Sequence, residues 1–202
     1  MTTVKRVALV TCSTRSRRLN PYMTSYVKEI MTRHSVGVIL EIVDLAFQAL
    51  PIFDETVTPS QLPEDDPTPG YSKAHSRAWS ALIRQYDAFV FVTPQYNWSV
   101  PASLKNALDY LYHEWKGKVA GVVSYGGRGG GKAAGHLRDI LTGLRMRTLP
   151  SAPGLTTGSG MMDSCERRGW VGEGDRGRWR EEGVEDKVVA LTRELMLALN
   201  GS

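Results

Sequence analysis

AFVFVTPQYNWSVPASLKNALDYL, residues 88–111, joins three unlike pieces of chain. Residues 88–93 form an unbroken apolar run, with the length and the β-branched and aromatic content of a strand buried on both faces. From Pro101 onward, Leu104, Leu108, Leu111 and Trp115 fall on one stripe, which predicts a helix over 101–115 with that stripe in the core. Between the two, Gln95 to Ser99 carry polar or aromatic side chains, and Pro94 and Pro101 restrict the backbone at either end. A strand that enters a helix through so short a connection is the repeating half of a parallel α/β sheet.

The rest of the chain repeats the alternation. Apolar runs at 5–10, 37–43 and 118–124 read as further buried strands, with a weaker one at 145–149. A helix over about 21–33 opens with Asn20 as N-cap and Pro21 in its first turn, and points Val27, Ile30 and Met31 inward. Residues 71–86 place Ala74, Ala78, Leu82 and Tyr86 at i, i+4 spacing. Residues 132–144 offer Leu137, Leu141 and Leu144, and 181–199 offer Val184, Val188, Leu191 and Leu195. Five β-α units in 202 residues predict a flavodoxin-like three-layer α/β/α sandwich around a five-stranded parallel sheet of order 2-1-3-4-5. Residues 1–202 read as one domain. The proline-rich, acidic stretch 51–70 and the glycine- and arginine-rich stretch 151–180 read as irregular loops.

Bulk composition narrows the function classes. Hydrophobic content of 42% and charged content of 23% are those of a globular protein. Lys and Arg number 25 against 21 acids, a net charge of +4 with the basic residues scattered, so the chain lacks the dense basic stripe of a nucleic-acid binder. A small mobile anion suits this balance better than a polyanion. Two cysteines, Cys12 and Cys165, support neither a disulfide framework nor a four-ligand zinc site, and fit a reducing cytoplasm. The four histidines are singletons, and His113-Glu114 lacks the second histidine of H-E-x-x-H, so no metal is expected. No apolar stretch approaches a membrane span. The first 28 residues contain no acid, as in transit peptides, but Val7 to Val10 read as a strand instead.

In an open parallel sheet, ligands bind beyond the carboxyl ends of the strands where strand order reverses, here after residues 10, 93 and 124. The first loop, TCSTRSRRLN (11–20), sets hydroxyls and Arg15 and Arg18 before a helix N-terminus. Such a cradle suits a phosphate, although it matches neither the Walker A nor the G-x-G-x-x-G fingerprint. A solvated basic loop with serine caps is the plainer alternative. In the second loop, Tyr96 and Trp98 can flank a flat ring while Asn97 offers donor and acceptor; in a purely structural turn those rings would tuck into the core. The third, SYGGRGGG (124–131), has Gly126 and Gly127 where backbone can approach a ligand closely, or simply a hinge. Together the three describe a site for a planar heterocycle with one terminal phosphate, the shape of FMN. Cys12 borders the cradle, either as a stabilised thiolate or as a small packing residue.

Ser13–Arg15 (S-T-R), P-x-Y-N with S-x-P-x-x-L-K-N-A-L-D over 94–109, and W-K-G-K with S-Y-G-G over 115–127 resemble the NADPH-dependent FMN reductase family of flavodoxin-like flavoproteins. The resemblance spans about residues 4–145. It implies phosphate contacts at Ser13, Arg15 and Arg18. It also implies flavin-ring contacts at Pro94, Gln95, Tyr96, Asn97, Ser124, Tyr125, Gly126 and Gly127; the open ring face that stacked ligands need could be walled by Trp98 and a partner subunit. Gln95 stands where many members have glutamate, and Thr11-Cys12 replaces a common glycine. The resemblance further implies ping-pong transfer from NADPH or NADH through FMN to a small acceptor (a quinone, azo compound, free flavin or ferric chelate), by a homodimer or homotetramer. The flavin would carry the chemistry, so no acid–base residue is demanded. Lys105, Tyr110 and Tyr112, expected to be exposed, leave room for a dimer face. Two other classes compete: a flavodoxin-type electron carrier, against which a sequence pI near 9.1 argues, and an idle flavin-binding interaction module.

Overall fold

The computed structural model describes residues 4–201, and six strands, eight α-helices and two short 3-10 turns follow one another along it. The central strands are β1 (Lys5–Thr11), β2 (Val38–Asp44), β3 (Ala88–Pro94) and β4 (Val119–Gly126). All pair in parallel in the order β2-β1-β3-β4, and β5 (Arg147–Thr148) completes the expected 2-1-3-4-5 sheet. Every residue of β3 is buried, as its continuous apolar run requires.

Helices cover both faces. On one side, α1 (Asn20–His34) and α8 (Val184–Asn200) bury Val27, Ile30, Val188 and Leu191 against Val7, Leu9, Val90 and Val92. On the other, α3 (Ala74–Ile83), α4 (Ala102–Asp109) and α5 (Gly131–Gly143) bury Trp79, Leu104, Leu108 and Leu137 against Ala8, Val10, Phe89 and Phe91. A short α2 (Leu45–Gln48) follows β2. None of the helices among the described residues is long and apolar enough to cross a membrane.

Four expectations change. The buried face of α3 is Ser76, Trp79, Ser80 and Ile83, while Ala74 and Ala78 are exposed, because the larger Trp79 and Ile83 recover more apolar area than two alanines. The helix after β3 stops at Asp109, and a turn carries Leu111 and Trp115 inward. Tyr110 is buried rather than exposed, its hydroxyl bonded to the Asp54 carboxylate at 3.0 Å, whereas Lys105 does face solvent.

Residues 151–180 form no irregular loop. Prolines at 150 and 153 break the fifth strand position, and β6 (Gly154–Thr156) resumes pairing on β4 beside Ser124–Gly126. Then α6 (Met161–Arg168) and α7 (Glu173–Glu181) dock through buried Met161, Cys165, Val171 and Trp179. Trp179 packs 4.9 Å from the Tyr26 ring and donates its indole N–H to the Thr156 carbonyl at 2.9 Å. Four widely spaced apolar anchors thus outweigh the glycine and arginine between them.

Candidate functional site

Parallel pairing sets Thr11 opposite both Asp44 and Val92, and Pro94 opposite Tyr125, so the three loops of interest leave the same sheet edge side by side. Loop one is fastened from below. Asn20 is fully buried and does not cap its own helix as expected. Its Oδ1 accepts the Ser13 N–H at 2.7 Å, and its Nδ2 donates to the Val92 carbonyl at 2.9 Å. Arg18, expected on a phosphate, is committed elsewhere. Its guanidinium grips Asp44 with two bonds of 2.7 and 2.8 Å and also donates to the Ser13 carbonyl, with both side chains about nine-tenths buried. Asp44 also accepts the Ala46 N–H that opens α2. Asn20 and Asp44 thus set the shape of loop one, and only partners distant in sequence reveal it.

Above this base, donors remain free. Ser13 is buried and shares a 2.8 Å hydrogen bond with the Tyr96 hydroxyl, which ties loop one to loop two. The hydroxyls of Thr14 and Ser16 meet no protein partner among the described residues, and Arg15 lies 3.6 Å over the Tyr96 ring. These groups lie in the loop that leads into a 15-residue helix beginning at Asn20, whose dipole favours an anion at that end. Cys12 does not belong to the cradle: its thiol is buried, and burial together with Asp44 pushes its pKa well above the ordinary value. It is a packing residue. Among the described residues no group of His, Cys, Asp and Glu could hold a metal.

Loop two is a two-residue hairpin turn. Tyr96 and Ser99 exchange N–H···O bonds of 2.9 and 3.0 Å, and both central residues, Asn97 (φ 48°) and Trp98 (φ 67°), are left-handed. Asparagine tolerates this region, but a tryptophan there stores about 1–2 kcal/mol of strain. The turn displays Trp98 at 64% exposure instead of folding it into the core. Gln95 joins loops two and three: its N–H donates to the Tyr125 carbonyl at 2.9 Å, and its Oε1 accepts the N–H groups of Lys132 and Ala133, capping α5.

In loop three the Ser124 hydroxyl donates to the Gly129 carbonyl at 2.7 Å, so it shapes the loop. Gly130 is left-handed (φ 76°), and a Cβ there would meet the Tyr125 carbonyl oxygen at 2.8 Å, so glycine is required. Tyr125 is buried, and burial, then the nearby Tyr96 phenol, push its phenol pKa far up, so it stays neutral. A Cβ at Gly127 would meet nothing within 4 Å, so its backbone faces open space beside Gly126. A cleft of about 440 Å³ lined by Gln95, Trp98, Arg128, Gly131 and Lys132 opens on this side, and one of about 310 Å³ opens beside Thr14.

The donor set fits FMN: free hydroxyls and a cation at a helix start for the phosphate, and a backbone rim with open glycine for the ring. Fold and edge together define a flavodoxin-like flavoprotein. The family model described as NADPH-dependent FMN reductase matches residues 5–159, and the chain belongs to that family of oxidoreductases. It is 42% identical over 151 residues to an NAD(P)H-dependent FMN reductase of Saccharomyces cerevisiae, covering 71% of this chain and 77% of that one. It is 34% identical over 156 residues to a quinone reductase of Pseudomonas putida, covering 72% and 74%. In fold it is similar to the flavoenzyme NAD(P)H:(acceptor) oxidoreductase FerB of Paracoccus denitrificans, with a TM-score of 0.66 at 22% identity over 95% of this chain and 97% of that one.

Proposed function

We propose that this chain binds one FMN per site and passes electrons from NAD(P)H to a small acceptor by a ping-pong mechanism, donor and acceptor taking turns at one cleft. The acceptor classes are quinones, azo compounds, free flavins and ferric chelates. The observation that carries the reading is the contrast within the sheet edge: loop one keeps unspent donors at a helix start, while loops two and three present a stiff, open rim. Ser13, Thr14, Arg15 and Ser16 would hold the phosphate, with Arg18 holding the loop. Pro94 to Trp98 and Tyr125 to Gly127 would line the ring, and Ser124 would fix the loop that carries those glycines. When bound, FMN supplies hydride acceptance at N5 and two-electron delivery to the acceptor. The protein's part is to hold the ring with one face open and to keep Tyr125 neutral beside it. We place the enzyme in the cytoplasm as a homodimer or homotetramer of one FMN-binding domain. Its two free, buried cysteines agree with a reducing compartment.

The test is direct. The purified chain is examined for a flavin spectrum, and NADPH is then added without oxygen. Rapid bleaching, with parallel initial-rate lines against a quinone, is the expected result. Bound flavin that NADPH leaves unbleached points to an electron carrier or an idle binding module, and absence of flavin affinity removes the reading altogether.

A further inference from the structure

The cleft beside loops two and three has an unusual lining. Arg128 and Lys132 are both exposed, neither takes part in an ion pair among the described residues, and none of the lining residues is acidic. Their formal charge is therefore +2, in a protein whose whole net charge is only +4. Gln95 matters to this sum. A carboxylate could cap the N–H groups of Lys132 and Ala133 equally well and would cancel one cation; the neutral amide caps without cancelling. The N-terminal end of α5, which begins at Gly131, adds positive potential in the same place.

Trp98 supplies the apolar half of the cleft. Its indole is held out by turn geometry and not by burial, and the Lys132 ammonium lies 5.4 Å from its centroid. A flat ring resting on the indole would therefore carry its substituents past Lys132 and Arg128.

We propose that this cleft selects planar acceptors bearing an anionic group, a sulfonated or carboxylated quinone above all, over neutral acceptors of the same ring size. The inference rests on the functional reading above, since it names the acceptor class of that site. The reaction balances without the anionic group: NAD(P)H gives a hydride and solvent a proton, the quinone takes two electrons and two protons, and NAD(P)+ and hydroquinone leave. The sulfonate or carboxylate serves recognition only.

The experiment uses the FMN-loaded protein. Calorimetry compares naphthalene-2-sulfonate, which cannot be reduced, with neutral 2-naphthalenemethanol, and kinetics compare a naphthoquinone sulfonate with its neutral 2-methyl counterpart. We expect the sulfonate to bind about tenfold more tightly in low salt, with the preference shrinking as salt rises. The double variant Arg128→Ala, Lys132→Ala should lose most of that preference and lower the anionic-to-neutral kcat/KM ratio by about the same factor. Lys132→Glu should push the ratio below that of the double variant. Equal binding of the two naphthalenes by the parent chain, or a preference that survives the double variant, overturns the proposal. Anaerobic bleaching by NADPH reports separately on the functional reading, so lost anion preference with intact bleaching overturns this inference alone.

Discussion

Loop one and loop two leave neighbouring strands of one sheet and touch through the Ser13–Tyr96 hydrogen bond, yet they spend their polar groups in opposite ways. In loop two the backbone of Tyr96 and Ser99 is mutually satisfied, and the Gln95 amide oxygen is taken up by α5. What remains to offer is shape: a displayed indole and a fixed rim. In loop one the fastening is done by Asn20, Arg18 and Asp44 from beneath, and the Thr14 and Ser16 hydroxyls are left free while Arg15 rests on the Tyr96 ring. A ligand that needs many hydrogen bonds belongs on the second kind of surface, and a flat one on the first. One loop is poised for a phosphate and the other for a ring.

The largest perturbation of that contrast should come from its foundation. Asp44→Ala leaves the Arg18 guanidinium unpaired in a nearly dry setting, and should cost about 3 kcal/mol in denaturant unfolding together with most FMN affinity. A loss below about 1 kcal/mol would mean that loop one does not depend on the pair. Ser13→Ala removes a hydroxyl from the upper side of loop one. It should weaken FMN binding about tenfold, about 1.4 kcal/mol, in a titration of the flavin-free protein, and should cost about 1 kcal/mol of stability through the lost Tyr96 bond. Equal FMN affinity in parent and variant would move the phosphate off loop one.

Loop two should respond with the opposite sign. Trp98→Gly relieves a left-handed tryptophan and creates the Asn-Gly pair that such turns favour, so stability should rise by about 0.5 kcal/mol while acceptor KM worsens. A destabilised variant would show that the indole packs more than it displays. The smallest effect belongs to a region remote from both loops. Glu55 clasps the start of α3, accepting from Ser72 and Lys73. Burial opposes its charge, but these bonds win and hold its pKa at about 2 against the ordinary 4.5. Because the folded value is depressed, its contribution is complete above pH 4.5 and fades as pH falls toward 2. Glu55→Gln should lower stability by less than about 1 kcal/mol at pH 6, with the gap closing through that window in thermal melts and FMN affinity unmoved.

Much of this was legible in the residues because some signals are local. Buried parallel strands must be apolar on both faces, so β1, β3 and β4 show as continuous runs, and the α8 stripe Val184, Val188, Leu191, Leu195 shows at helical spacing. The glycines of loop three and the P-x-Y-N turn announce themselves for the same reason. The weaker signals misled where two readings of one segment compete. Ala74 and Ala78 keep helical spacing without the area to decide a face, and the glycines of 151–180 mask four anchors spread over nineteen residues.

The side chains of single short segments are enough to set β1 to β4, the helices between them and the three loops that share an edge, whereas β6, α6 and α7 take shape only on the folded sheet. How each polar group is spent depends instead on contacts made across the fold. Arg18 meets Asp44 from 26 residues away, Asn20 meets Val92 from 72, and Gln95 meets Lys132 from 37. Hydrogen bonds and ion pairs act over a few ångströms, and the fold alone sets which distant residues come that close.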